Sequence, residues 1–251
     1  AVAAQTFRST IVAGMDFEKA MSSVRAATGA TSREFDTLSA AAKTMGNTSV
    51  FGATATANAM AELAKAGFRT NEVLTATPAV LTLATAGEME MADAAEVAAK
   101  LLRGFNLEAK DMTMVVDLLA KGAIESTTSV SELAHAMSFV SGLGAQAGLD
   151  LKEMVAAVAQ LQQSGLSGGR AGRGLRQFIL SLLELPGTGK KFQGTLQSLG
   201  LRAQDLNPRI HGLKNVIETL GRTMSGRPDS ADKLASAFSN GRSEVSFFWM
   251  D

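Results

Sequence analysis

Five times along the chain a Gly or Asn is followed by an apolar or small residue, three variable positions, an acid and a large apolar residue. The copies are Gly29-Ala30…Glu34-Phe35, Gly67-Phe68…Glu72-Val73, Asn106-Leu107…Asp111-Met112, Gly148-Leu149…Glu153-Met154 and Gly200-Leu201…Asp205-Leu206. They begin 38, 39, 42 and 52 residues apart. Each has the chemistry of a helix end joined to a helix start. Gly and Asn accept the left-handed backbone conformation that closes a helix, and the apolar residue after them packs back on the last turn. The acid then falls in the first turn of the next helix, where unpaired amides and the dipole favour negative charge. The phrase therefore predicts a string of antiparallel helical hairpins with tight joints.

Apolar spacing fills in the helices between joints. A first is predicted over 5–28, with Phe7, Ile11, Met15, Met21 and Val24 on one side. Others follow at 31–45, 53–66, 70–86, 90–104, 108–123, 129–146, 150–164 and 170–184, then near 190–199 and 209–222. Thr31, Thr54, Ser129 and Asp150 are capping residues at predicted starts. Ser129-Val130-Ser131-Glu132 has the form of a capping box. Pro78 should bend or split its helix near Ala76. Pro186-Gly187-Thr188-Gly189, Asn207-Pro208 and Arg227-Pro228-Asp229 read as breaks, with Asp229 or Ser230 capping a last helix. No bounded run shows strand periodicity, so the fold class is all-α. The expected organisation is a leading helix at 1–28 suited to self-association, a helical module at 29–206 and an irregular helical end piece at 207–251. Ala1 in place of Met, and the apolar run Phe247-Phe248-Trp249-Met250, suggest a segment of a longer polypeptide.

Composition removes several function classes. The 24 basic and 24 acidic residues cancel, which gives no electrostatic case for binding nucleic acid or an acidic membrane. Cys and Tyr are absent and only His135 and His211 carry imidazole, so thiolate chemistry is excluded and no metal-ligand spacing is formed. Gly187-Thr188-Gly189-Lys190-Lys191 resembles the end of a phosphate-binding loop. Glu184 and Lys191 occupy positions where that loop needs Gly and Ser or Thr, and the preceding element reads as a helix. Glu88 with Glu90, and Asp93 with Glu96, read as solvated helix charge rather than an acid–base pair. The methionines read as adaptable packing. No catalytic residue, metal site or cofactor is assigned.

One segment is unusual: Gly165-Leu166-Ser167-Gly168-Gly169-Arg170-Ala171-Gly172-Arg173-Gly174-Leu175-Arg176. A helix starting near Arg170 places Arg170, Arg173 and Arg176 on one face as a contact for an anionic partner. The competing reading is a glycine-permitted crossing of two backbones, with the arginines paired to acids or lying in water. No aromatic residue interleaves with them in sequence to stack bases.

The stretch Phe35-Asp36-Thr37-Leu38-Ser39-Ala40-Ala41-Ala42-Lys43-Thr44-Met45-Gly46-Asn47-Thr48-Ser49-Val50-Phe51 resembles the start of the core region of phage tail tape measure proteins. Ala57-Asn58-Ala59-Met60-Ala61-Glu62-Leu63-Ala64-Lys65-Ala66-Gly67-Phe68 is similar to that family's most characteristic stretch. Further matches are Leu83 to Ala86, Ala94-Ala95, Phe105-Asn106-Leu107, Asp117 to Ala120 and Ser129 to Leu133. The glycine- and arginine-rich segment resembles its second signature, which often has a small residue where Arg173 stands here. The resemblance runs from about Met15 to Leu206. It implies a structural virion protein rather than an enzyme, one that sets tail length, occupies the tail lumen or lies near the tail tip, and leaves at infection. It also implies partners: other copies of itself (three or six by analogy), tail tube, baseplate hub or distal tail proteins, and assembly chaperones. No specific nucleic-acid recognition is implied, and membrane contact only during infection. The alternatives are a helical scaffold or adaptor of a non-phage assembly, a nucleotide-binding enzyme and a membrane-inserting module.

Overall fold

The computed structural model describes residues 2–166, 168–184 and 190–225, together with Asp229 and Lys233. Among them are eleven α-helices and no strand: α1 (Val2–Thr28), α2 (Ser32–Asn47), α3 (Gly52–Lys65), α4 (Thr70–Gly87), α5 (Met91–Gly104), α6 (Met112–Ser126), α7 (Val130–Ala147), α8 (Leu151–Gln163), α9 (Gly168–Glu184), α10 (Lys190–Ser198) and α11 (Pro208–Ser225). Short 3-10 turns at Ala109–Asp111 and Ala203–Leu206 lead into α6 and α11. The chain forms two compact units, residues 1–120 and 121–251, the division falling within α6.

In the first unit α3 is the central element, packed by α1, α2, α4 and α5. Its sequence explains the position. Ala57, Ala59, Ala61 and Ala64 are buried beside Met60 and Leu63, and methyl-sized side chains let neighbours approach from several sides. Gly46 extends this logic to α2, because a Cβ there would run into the backbone of Ala53 at the start of α3. In the second unit α7 packs on α8 and α9, and α11 lies on α8 and α9.

The joints are as their sequence implies. Gly29, Gly67, Asn106, Gly148 and Gly200 all have positive φ, between 55° and 89°. At four of them the residue after the left-handed one sends its amide back to a carbonyl in the last turn and closes the helix: Phe68 to Leu63, Leu107 to Leu102, Leu149 to Gly144 and Leu201 to Leu196. Three further ends close in the same way with Glu88, Thr127 and Gly165 in the left-handed position, and Met89, Thr128 and Leu166 donating to Ala84, Ala123 and Leu161. Gly67, Glu88, Asn106, Thr127, Gly148 and Gly165 therefore close successive helices, α3 to α8, one after another. The longer intervals seen in sequence mostly count helices in pairs.

The acid of the phrase has a defined task. The Glu34 carboxylate accepts from the Thr31 amide at 2.9 Å, Glu72 from Arg69 at 2.7 Å, Asp111 from Glu108 at 2.9 Å and Asp205 from Arg202 at 3.1 Å. Each satisfies an amide that the helix leaves unpaired at its start.

Several local expectations need correction. Thr54 is no cap: α3 begins at Gly52, whose positive φ of 81° takes the chain directly into the helix. Pro78 does not split α4, which is continuous over Thr70–Gly87. The ring lies on the exposed side, and Ala76, Thr77, Ala79 and Val80 around it are buried and hold the helix in place. Met15 is 63% exposed, whereas Met21 and Val24 are buried; the side chains of Phe7 and Ile11 lie outside the described residues. Ser129 caps α7 by accepting from the Glu132 amide at 3.0 Å. The box is only half made, because the Glu132 carboxylate takes the Thr128 hydroxyl at 2.9 Å instead. The helix expected near 209–222 is interrupted at Gly212, with φ 73° and ψ 158°. Residues 185–189, 226–228, Ser230 and the apolar run at 247–250 lie outside the described residues, so the turns expected at Pro186 and Arg227 do too.

Candidate functional site

The glycine- and arginine-rich segment forms the first half of α9. Ala171, Gly172, Leu175, Phe178, Ile179 and Leu182 are buried, while Arg170, Arg173 and Arg176 are exposed on the opposite face. Two glycines make this geometry. A Cβ at Gly172 would strike the Ala136 carbonyl oxygen, with the carbonyl carbon at 2.9 Å and Cα at 3.1 Å. α9 therefore crosses α7 at backbone contact, as the crossing reading expects. A Cβ at Gly169 would sit 3.0 Å from an Arg173 guanidinium nitrogen and 3.1 Å from the Phe139 ring. Its absence leaves room for the Arg173 guanidinium to lie over Phe139, 5.1 Å from the ring centre. His135 packs edge-on against the same ring at 5.2 Å.

The aromatic partner that the segment lacks in sequence thus arrives from α7, two helices earlier in the chain. The spacing of His135 and Phe139, one turn apart, accounts for the contact between those two rings but gives no sign of Arg173. A guanidinium on an aromatic face keeps its N–H edge available for a planar anion. Among the described residues no carboxylate lies within ion-pair distance of Arg170, Arg173 or Arg176; the six ion pairs found are elsewhere.

Charge at this helix start is also reversed relative to the other joints. Five residues beyond the left-handed residue stand Glu34, Glu72, Asp93, Asp111, Glu132, Glu153 and Asp205; five beyond Gly165 stands Arg170. A cation in the first turn opposes the dipole, so α9 gives up the local advantage that the other seven take.

The remaining candidates do not converge. His211 is exposed and stands apart from His135 in sequence. Glu88, Glu90, Asp93 and Glu96 are exposed, with Glu96 paired to Lys100 at 2.6 Å. Among the described residues no group of three or more His, Cys, Asp or Glu could hold a metal, and no helix is long and apolar enough to cross a membrane. The phosphate-loop-like run follows helix α9 and not a strand, and Lys190 opens α10. A shallow cleft of about 550 Å³ lies between the first two joints, lined by Glu34, Thr37, Arg69, Thr70 and Asn71 among others. Its Glu34 carboxylate is occupied by Thr31 and held below its ordinary value of 4.5, first by the Thr31 hydroxyl and then by its amide.

Comparison with known proteins gives the context for this geometry. The family described as phage-related minor tail protein matches residues 39–240. The chain is similar to the tape measure protein of Pneumococcus phage Dp-1, 33% identical over 217 residues, covering 86% of this chain and 19% of the relative. It is also similar to the probable tape measure protein of Escherichia phage P2, 25% identical over 234 residues, covering 91% of this chain and 28% of that protein. The chain spans about a fifth of the length of the first relative and just over a quarter of the second. No solved structure matches.

Proposed function

The chain belongs to the phage-related minor tail protein family, and from that membership we propose that it is the helical module of a tape measure protein. In this reading the whole protein sets tail length during assembly, occupies the tail lumen or lies near the tail tip, and leaves at infection. The match over 39–240 carries it, since it spans ten of the eleven helices in whole or part. The leading helix 1–28, the module 29–206 and the end piece 207–251 are its working divisions. A non-phage scaffold has no comparable support. The role is structural, without catalysis: both relatives are named for measuring rather than for a reaction.

The partners that fit are further copies of the same chain, three or six by analogy, and the tube, hub or distal proteins of the tail, with chaperones during assembly. Membrane contact belongs to infection. The Arg170–Arg173–Arg176 face is the part of the module suited to such a contact, through carboxylates on the neighbouring protein. Two experiments test the reading. Mass spectrometry of purified tails should detect peptides of this module, and loss of its gene should abolish tails of defined length. Tails of normal length without it would refute the assignment. For the face, combined Arg170→Glu, Arg173→Glu and Arg176→Glu should cut phage titre at least tenfold while the isolated chain keeps its helical circular dichroism and a cooperative melt. Wild-type titre would remove the face from assembly.

A further inference from the structure

Of the five joints that carry the sequence phrase, the fourth, at Gly148, uses its acid differently from the other four. Glu153 stands three residues after the N-cap Asp150, the register in which Glu34, Glu72, Asp111 and Asp205 all accept from their own N-cap amide. Glu153 instead accepts from the amide of Leu213 in α11, at 3.0 Å. The α8 start keeps only the Asp150 side chain, which accepts from Lys152 at 3.1 Å. α11 is shaped to receive the carboxylate. Gly212 breaks the helix, so Leu213 opens a new helical stretch with a free first-turn amide, and a Cβ at Gly212 would lie 3.2 Å from the other carboxylate oxygen of Glu153. A second anchor lies on the other side of the joint. There Arg209 donates to the Gln146 carbonyl at 2.7 Å, in the last turn of α7, where a cation suits the dipole. Between the anchors and beyond them, Leu213, Val216 and Leu220 are buried.

We infer that α11 is a detachable latch on the fourth joint, held by a carboxylate with two interchangeable amides to bind. Closed, Glu153 caps α11 through Leu213. Open, it returns to the Asp150 amide and completes the box that the sister joints show. The exchange trades one charge-assisted bond to a backbone amide for another of the same kind. Opening therefore leaves no carboxylate stranded; what it gives up includes the acceptor of the Leu213 amide, the Arg209–Gln146 bond and the burial of Leu213, Val216 and Leu220. α8 gains a better cap as α11 leaves, so α7, α8 and α9 stay folded.

Site-resolved amide exchange on the full chain tests this with two variants. Glu153→Ala should speed exchange across 213–220 at least tenfold and leave the α7 and α9 amides unchanged. Arg209→Ala combined with Val216→Ala and Leu220→Ala changes no residue of the joint and opens α11 in most molecules. It should speed the same α11 amides and slow the Asp150 amide, because Glu153 then spends most of its time there. Simple loosening cannot produce that slowing. Unchanged α11 exchange in both variants would overturn the latch, as would α7 and α9 exchange rising with it. Faster α11 exchange with an unchanged or faster Asp150 amide would overturn the swap.

Discussion

Gly172→Ala is the sharpest test of the α7–α9 crossing. The added methyl would meet the Ala136 carbonyl, with carbon neighbours at 2.9 and 3.1 Å. Carbon–carbon contacts are comfortable only at about 3.5–4.0 Å, so the helices must part by roughly 0.5–1 Å along this seam. The obstacle is backbone, which cannot swing aside as a side chain could. A separation of that size forfeits about a quarter to a half of each dispersion contact it opens, and Leu175, Phe178 and Ile179 lie buried on the same helix. Overpacking of this kind costs about 1–3 kcal/mol, against which Ala recovers up to about 1 kcal/mol of helix propensity. The expected net loss is about 1–2 kcal/mol, lowering the melting temperature of the second unit by about 5–10 °C. Gly174 provides the control, because a Cβ there meets nothing within 4 Å. Gly174→Ala should stabilise by about 0.5–1 kcal/mol through propensity alone. Thermal and urea unfolding followed by circular dichroism would read both variants. The same substitution at two nearby positions of one helix must change stability in opposite directions; equal signs, or Gly172→Ala at wild-type stability, would refute the backbone crossing.

Glu88 and Thr127 hold left-handed conformations at φ 50° and 54°, so Glu88→Gly and Thr127→Gly should each raise stability by about 1 kcal/mol in urea titrations; a loss in both would contradict the backbone assignment. Thr31→Ala should move the Glu34 carboxyl up toward its ordinary 4.5, visible as a shifted titration in carbon NMR. Since the folded value lies below the unfolded one, the contribution of this box to stability is complete above pH 4.5 and is lost as pH falls through the folded value. The same sign holds for Asp205, depressed chiefly by its hydrogen bond from Arg202. A urea midpoint for Arg202→Ala that falls more in acid, below the ordinary carboxylate range, than at neutral pH would contradict it.

Most of the fold was legible because its punctuation is chemical. A left-handed residue, a returning apolar neighbour and an acid five positions on are read from sequence without any tertiary information. The joints at Glu88 and Thr127 carry neither Gly nor Asn, so a pattern built on those two residue types passes over them. Asp93 and Glu132 keep the register there, so the acid is the more constant mark. Gly165 escapes for the opposite reason: its glycine is present and its acid is replaced by Arg170. Tertiary facts were less accessible. Nothing local announces that Phe139 lies under Arg173, or that Glu153 reaches across to the Leu213 amide of α11. The break at Gly212 was hidden by good helical spacing on both sides, since spacing does not report a single reversed φ.

From α3 to α8 every helix end is closed by an amide that returns to the carbonyl five residues before it. These closures use no atom from elsewhere in the chain, so each joint carries its own stop signal. Residues added to or removed from the middle of one helix therefore leave the stops on either side intact. Variation in helix length is absorbed between joints, and the joints themselves are the fixed marks of the chain.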